Sequence, residues 1–144
     1  KYKVPYVYRV LSFFERPEHL DRFPGRGILF FLIGTLLAFE LFPQNIAYSA
    51  ILILAVGDSF TNIIGRNFGK THYFFNPKKS LEGTLAGIFF STMAVSFFVG
   101  LVPALLASAV GMFFEALNLR FAGHDIDDNF VIPLVSGAVL LWIT

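Results

Sequence analysis

No cysteine occurs anywhere in this chain, which removes disulfides, thiolate nucleophiles and cysteine-based metal sites together. Charge is scarce as well. Asp, Glu, Lys and Arg make up 15% of the residues and balance to +1, so the basic excess that a nucleic-acid binder needs is missing. The three histidines, His19, His72 and His124, have no metal-ligand spacing and read as polar loop residues. Nor is there a basic stretch followed by a short apolar run and a small-residue cleavage site. The first residue is Lys1 rather than Met, and the expectation is of a chain trimmed at its start with earlier helices preceding it.

What the chain has in excess is apolar bulk: 56% of its 144 residues are hydrophobic, 19 of them Phe. A soluble domain of similar size usually carries about 45–50% apolar and about 25% charged residues. The excess lies in long blocks that suit lipid, at roughly 20 residues per crossing of a bilayer core about 30 Å thick. The sequence predicts an all-α, polytopic membrane helix bundle of about five spanning or partly spanning helices, with residues 27–144 as one transmembrane catalytic domain. Residues 1–26 mix Tyr2, Val7, Leu11 and Phe14 with Lys3, Arg9, Glu15 and Arg16, and read as an amphipathic, interfacial N-terminal helix. Gly27 to Phe42 is the first span, closed by Pro43. The run from Ile46 to Val56 is too short to cross alone and must continue through Asp58 towards Ile64. That places a carboxylate in or near the membrane, where such a group is expensive. From Leu85 to Phe114 there is no charge, and Gly100 and Pro103 break this run into a hairpin of helices over about 81–101 and 103–119. A last span runs from Phe130 to Ile143.

This topology puts residues 1–26, 65–80 and 118–129 on one side of the membrane. All 11 Lys and Arg fall in those segments, and the opposite connections, 43–45 and 100–103, have none. Because cytoplasmic loops carry the excess of Lys and Arg, the charged face is expected to be cytoplasmic.

Three motifs carry chemistry. In Gly57-Asp58-Ser59-Phe60-Thr61-Asn62-Ile63-Ile64-Gly65-Arg66-Asn67-Phe68-Gly69-Lys70, helical spacing sets Asp58, Thr61, Asn62, Gly65 and Gly69 on one face. A carboxylate, a hydroxyl and an amide there are hard oxygen donors suited to magnesium. Gly65 and Gly69 bare the backbone, and Arg66 and Lys70 are placed to clamp phosphate. The plainer reading is a small-residue helix contact at Gly65 and Gly69, with Asp58 paired to a base. In Asn76-Pro77-Lys78-Lys79-Ser80-Leu81-Glu82-Gly83-Thr84, two lysines stand at a helix start whose backbone N–H groups and dipole favour an anion. Glu82 is a candidate magnesium ligand, and Gly83 admits a close ligand. The alternative is a membrane anchor with snorkelling lysines.

In Asp125-Ile126-Asp127-Asp128-Asn129, clustered carboxylates can hold divalent cations or supply a general base. A solvated acidic loop with Asp128 or Asn129 capping the last helix is the competing reading. Glu115, at the cytoplasmic end of the fourth span, points towards the same region. Glu40 lies near the other face and reads as a snorkelling side chain.

The runs GDSFTNIIGRNFGK, NPKKSLEGTLAG and DDNFVIPLVSG, in this order and spacing, resemble the CTP-dependent lipid-alcohol kinases, a group that includes polyprenol, dolichol and phytol kinases and the CTP-using diacylglycerol kinase. The resemblance extends from roughly Phe23 to the end. Members carry one or two further helices ahead of this region, so the chain looks like the C-terminal two-thirds. The middle block also resembles phosphatidate cytidylyltransferases. Those close on a His-Gly-Gly and Asp-Arg-x-Asp pattern where this sequence has Asp-Asp-Asn.

The resemblance implies transfer of the γ-phosphoryl group of CTP to a membrane-lipid hydroxyl, with Mg2+ as cofactor and the active site on the cytoplasmic face of an integral membrane protein. Phosphoryl transfer of this kind needs metal and cationic groups around the phosphates. Asp58, Glu82 and Asp128, helped by Asn62 and Asn129, are expected to hold magnesium. Arg66, Lys70, Lys78 and Lys79, with Gly65, Gly69 and Thr84, are expected to hold the nucleotide. Asp127 or Glu115 is the candidate base, and Asp58 is counted with the catalytic residues. The partners are the lipid and CTP, with no nucleic acid and a homo-oligomer conceivable for so small a subunit. A CDP-lipid-forming cytidylyltransferase is the alternative. A small transporter ranks lower, because transport calls for polar groups on both faces.

Overall fold

A computed structural model describes residues 26–117, 120–121 and 124–144. The interfacial helix expected over 1–26 lies outside the described residues, apart from the backbone of Arg26. Helix α1 is Arg26–Leu41. Pro43 then breaks the chain, and α2 (Gln44–Leu52), a π-helical segment (Ile53–Asp58) and α3 (Ser59–Phe68) follow as one rod of 25 residues. Helices α4 (Leu81–Val99) and α5 (Leu101–Leu117) form the expected hairpin. Its turn is at Gly100, whose φ of +85° is a left-handed conformation that suits glycine. Pro103 sits inside the first turn of α5, where its missing N–H leaves nothing unpaired. A ribbon of two short antiparallel strands, β1 (Arg120–Phe121) and β2 (His124–Asp125), leads into α6 (Asp128–Ile143).

The packing is that of a membrane protein. Leu36, Phe89, Phe97, Leu101 and Trp142 point outward, Trp142 with 88% of its surface exposed. The interior uses small residues instead: Ala38, Ala47, Ala50, Ala104 and Ala107 are buried, as are Ser49, Ser91, Ser108 and Ser136. Between helices already in lipid the hydrophobic effect gives no net drive, so close approach through small side chains has to do the work. The rods Gln44–Phe68 and Leu81–Val99 are long and apolar enough to cross a membrane, while Gly27–Leu41, Leu101–Leu117 and Asp128–Ile143 are shorter apolar helices. Apart from the short β1–β2 ribbon, the described residues form a helical membrane bundle.

The rod α2–π–α3 runs through the centre, and its π-helical middle touches α4, α5 and α6. The crossing of α3 and α4 is nearly backbone to backbone. A Cβ on Gly83 would lie 2.6 Å from the Thr61 carbonyl oxygen, and one on Gly87 would strike the Thr61 hydroxyl. Stacked rings of Phe60 and Phe90, 3.8 Å between centroids, hold the same pair of helices further out. The π-helix is a feature that the hydrophobic pattern did not announce. Its wider turn rotates everything downstream relative to α2, and such turns often accompany functional residues. Asp58 is its last residue.

Candidate active site

Four separated stretches meet at one end of the bundle: the end of the π-helix, the residues before α4, the last turn of α5 and the start of α6. Carboxylate oxygens of Asp58, Glu115 and Asp128 come within 4.8 Å of one another there. Into this group the chain inserts Lys79. Its Nζ pairs with Glu115 Oε1 and lies 3.6 Å from Asp128 Oδ2. Glu115 is 1% exposed, and its second oxygen, Oε2, is buried with no hydrogen-bond partner. A carboxylate in so dry a place needs opposite charge and filled lone pairs.

Local structure explains how each group is held. Asn62, one turn beyond Asp58, donates from Nδ2 to Asp58 Oδ1 at 2.8 Å and to the Asp58 carbonyl at 2.9 Å. Lys79 is fixed by its loop. Asn76 donates from Nδ2 to the Ala116 carbonyl at the end of α5 (2.9 Å), and its own carbonyl accepts from Lys79 N at 3.1 Å. The next residue, Ser80, is the N-cap of α4 and accepts from Gly83 N at 3.2 Å. Beside the carboxylates lies a small pocket lined by Thr61, Asn62, Gly65, Arg66, Lys78, Lys79 and Ser80. Three cationic side chains and the start of α4 face the same hollow, an arrangement suited to phosphate.

The residues named from sequence divide into those brought here and those placed elsewhere. Asp58, Asn62, Gly65, Arg66, Lys78, Lys79, Glu115 and Asp128 belong to the cluster or the pocket. Glu82, expected beside the metal, is outside the carboxylate cluster: its side chain accepts from the backbone N–H of Lys70 at 3.2 Å and of Thr71 at 3.0 Å. One residue into α4, it sits opposite the backbone that leaves α3 and pins that backbone down. Lys70 is exposed and does not line the pocket. Gly69 packs on Ser80, 2.9 Å separating the Ser80 Cβ from where its own Cβ would be, and Gly65 faces both Ser80 and Gly83. The glycine contact read as an alternative is thus present. Thr84 turns its hydroxyl back to the Ser80 carbonyl at 3.2 Å. Asp127 is the N-cap of α6 and accepts from Asn129 N (3.2 Å) and Asn129 Nδ2 (2.8 Å), so both residues serve the helix start. Of Asp125 only the backbone is described.

Two residues, Ser80 and Asn76, gained importance that the sequence reading did not give them. Ser80, polar and directly ahead of an apolar run, carried a legible capping signal. Asn76 carried none, since its partner, Ala116, is distant in sequence; Thr61, read as an oxygen donor beside Asp58, instead turns its hydroxyl to Met112 Sδ at 3.5 Å.

Fold and site define an integral membrane protein that gathers carboxylate oxygens and a pocket lined by three cationic side chains at one end of its helices. The chain belongs to the cytidylyltransferase family, whose profile matches residues 8–139. It is 28% identical over 131 residues to the CTP-dependent diacylglycerol kinase 1 of Schizosaccharomyces pombe, covering 79% of this chain and 58% of that protein. To a probable chloroplastic phytol kinase of Zea mays it is 28% identical over 133 residues, 84% of this chain and 43% of that one. An uncharacterised protein of Methanocaldococcus jannaschii is 28% identical over 142 residues, 97% of this chain and 69% of its own length. The chain thus spans about half the length of the curated kinases it matches. No solved structure matches it.

Proposed function

We propose that the protein is a CTP-dependent lipid kinase that moves the γ-phosphoryl group of CTP to the hydroxyl of a membrane lipid. The observation that carries this reading is the position of Lys79, shared between a cluster of three carboxylates and a pocket with two further cationic side chains. Triphosphate chemistry asks for both: oxygen donors for a cation, and positive groups for the phosphates. The kinase names of relatives supply the donor and the acceptor class. The confinement of Lys and Arg to one set of loops supports a cytoplasmic site.

The donor set fits magnesium. Asp58, Glu115 and Asp128 offer hard oxygens, and the buried Oε2 of Glu115 lacks a partner. These three would hold the ion, with Asn62 orienting Asp58. When bound, magnesium offsets phosphate charge and favours departure of the diphosphate. The chain's own groups do the rest. Arg66, Lys78 and Lys79 hold the phosphates against the start of α4. The lipid hydroxyl, arriving from the bilayer, bonds to the γ-phosphorus as the bond to the β–γ bridging oxygen breaks and CDP leaves. Asp127, next to Asp128, is our candidate to accept the hydroxyl proton. We assign Glu82 to anchoring the loop after α3.

The test uses purified protein in detergent with magnesium, CTP labelled at the γ-phosphate, and a panel of lipid alcohols and lipid phosphates. Label entering the lipid with release of CDP is the expected result. Label leaving as pyrophosphate while the lipid gains CMP would replace the kinase reading by a cytidylyltransferase, the activity after which the family is called.

A further inference from the structure

The ammonium of Lys79 occupies ground that a divalent cation would need. Asp58, Glu115 and Asp128 bring three carboxylates within 4.8 Å, and the Lys79 ammonium pairs with Glu115 and lies 3.6 Å from Asp128. Glu115, buried and holding Lys79 by Oε1, still has Oε2 without a partner. That unfilled oxygen, independent of the clustering, points to a further positive ligand. An ammonium and a divalent ion cannot share these oxygens, because two cations a few ångströms apart in a dry site repel strongly. Lys79 also has somewhere else to go. It lines the neighbouring pocket with Arg66 and Lys78, at the start of α4, and its four-carbon stem lets the charge swing while the backbone stays fixed by Asn76 and Ser80.

We propose that Lys79 and the metal exchange places: a divalent cation entering between Asp58, Glu115 and Asp128 displaces the ammonium into the pocket, where it receives a phosphate of the nucleotide. In the metal-free protein Lys79 stands in for the ion and keeps the carboxylates from repelling one another. Metal then creates the full phosphate site, and phosphate, by holding Lys79 away, favours metal to the same degree, since linkage is reciprocal. Lys79 is on this account a positioning residue that couples two ligands. The inference rests on the magnesium part of the proposed function.

The experiment is a titration with Mn2+ alone, without nucleotide, followed by electron paramagnetic resonance of the unbound ion. Wild-type protein is compared with Lys79→Met and Lys79→Arg. A merely structural lysine predicts weaker binding on its removal. Exchange predicts the opposite: Lys79→Met binds Mn2+ about tenfold tighter or more, within the usual range of coupling between sites, and Lys79→Arg does not. Equal or weaker binding by Lys79→Met, with clear binding by wild type, overturns the exchange and leaves the magnesium reading standing. Absence of binding in every protein overturns both. A second measurement needs no variant that might fail to fold. Acylation of Lys79 in wild type, followed by mass spectrometry, is expected to quicken several-fold with Mn2+; an unchanged rate overturns the exchange.

Discussion

Lys79 and Glu115, 36 residues apart in sequence, are paired inside the helix bundle, the lysine side chain 8% exposed and the glutamate fully covered. The pair ties the loop before α4 to the last turn of α5 and brings the basic pocket against the carboxylates. Taking both charges out of water is costly, and a well-packed apolar pair is often as stable or more so. The pair by itself is therefore weak evidence of a stabilising role.

Replacing one partner should be far worse than replacing both. Lys79→Met leaves the buried Glu115 carboxylate without the lysine and is expected to cost about 3–5 kcal/mol of stability. The double variant Lys79→Met/Glu115→Leu, similar in volume, should recover most of that loss while remaining inactive. Thermal unfolding in detergent, read as a double-mutant cycle alongside turnover, checks both halves.

Asn62 holds the Asp58 carboxylate by a hydrogen bond. Asn62→Ala removes the bond to Asp58 Oδ1, and loss of such an orienting partner typically lowers metal affinity or activity about 10–100-fold. The activation curve for magnesium should move to higher concentration in step with that loss. Asp58→Asn should abolish turnover with the fold retained; normal turnover in that variant would remove Asp58 from the site.

Glu82 separates two roles cleanly. If it anchors the backbone of Lys70 and Thr71, Glu82→Gln keeps an acceptor oxygen and raises KM for CTP by less than about tenfold. Its magnesium dependence should equal that of the wild type. Loss of turnover together with a shifted magnesium curve would return Glu82 to the metal ligands.

The α3–α4 crossing tolerates no added bulk. On Gly87 a Cβ would strike the Thr61 hydroxyl and lie 2.9 Å from the Gly57 carbonyl. Gly87→Ala, harmless or helpful in most helices, should destabilise here by about 1–3 kcal/mol through overpacking. The same change at Gly100, where among the described residues only the Pro103 Cδ lies near, at 4.0 Å, should act instead through backbone strain at its positive φ. Unfolding midpoints of the two variants measure both costs.

The helices and their order were legible because the signals for them are local. The uncharged stretch from Leu85 to Phe114 is too long for one crossing, so Gly100 had to be a turn, and Pro43 had to end α1. Ser80 ahead of Leu81 marks a helix start by one hydrogen bond three residues long. Transfer of apolar side chains into lipid and the capping of backbone groups depend on neighbours in the chain, and the chain alone reports them. Asp58 was conspicuous for the same reason, as a carboxylate that the length of the apolar run forces to membrane depth.

Which acidic residues share a site is a different kind of fact. Glu82 and Glu115 are both glutamates near helix ends, and nothing nearby in sequence distinguishes a loop anchor from a member of the carboxylate cluster. Their roles depend on how far each helix is rotated about its axis. That rotation comes from the π-helical turn at Ile53–Asp58, from Gly83 and Gly87 admitting Thr61, and from Asn76 reaching Ala116. Each is a contact between distant segments, so sequence settled where the helices are and which residues are chemically capable, while packing alone decided which of those meet.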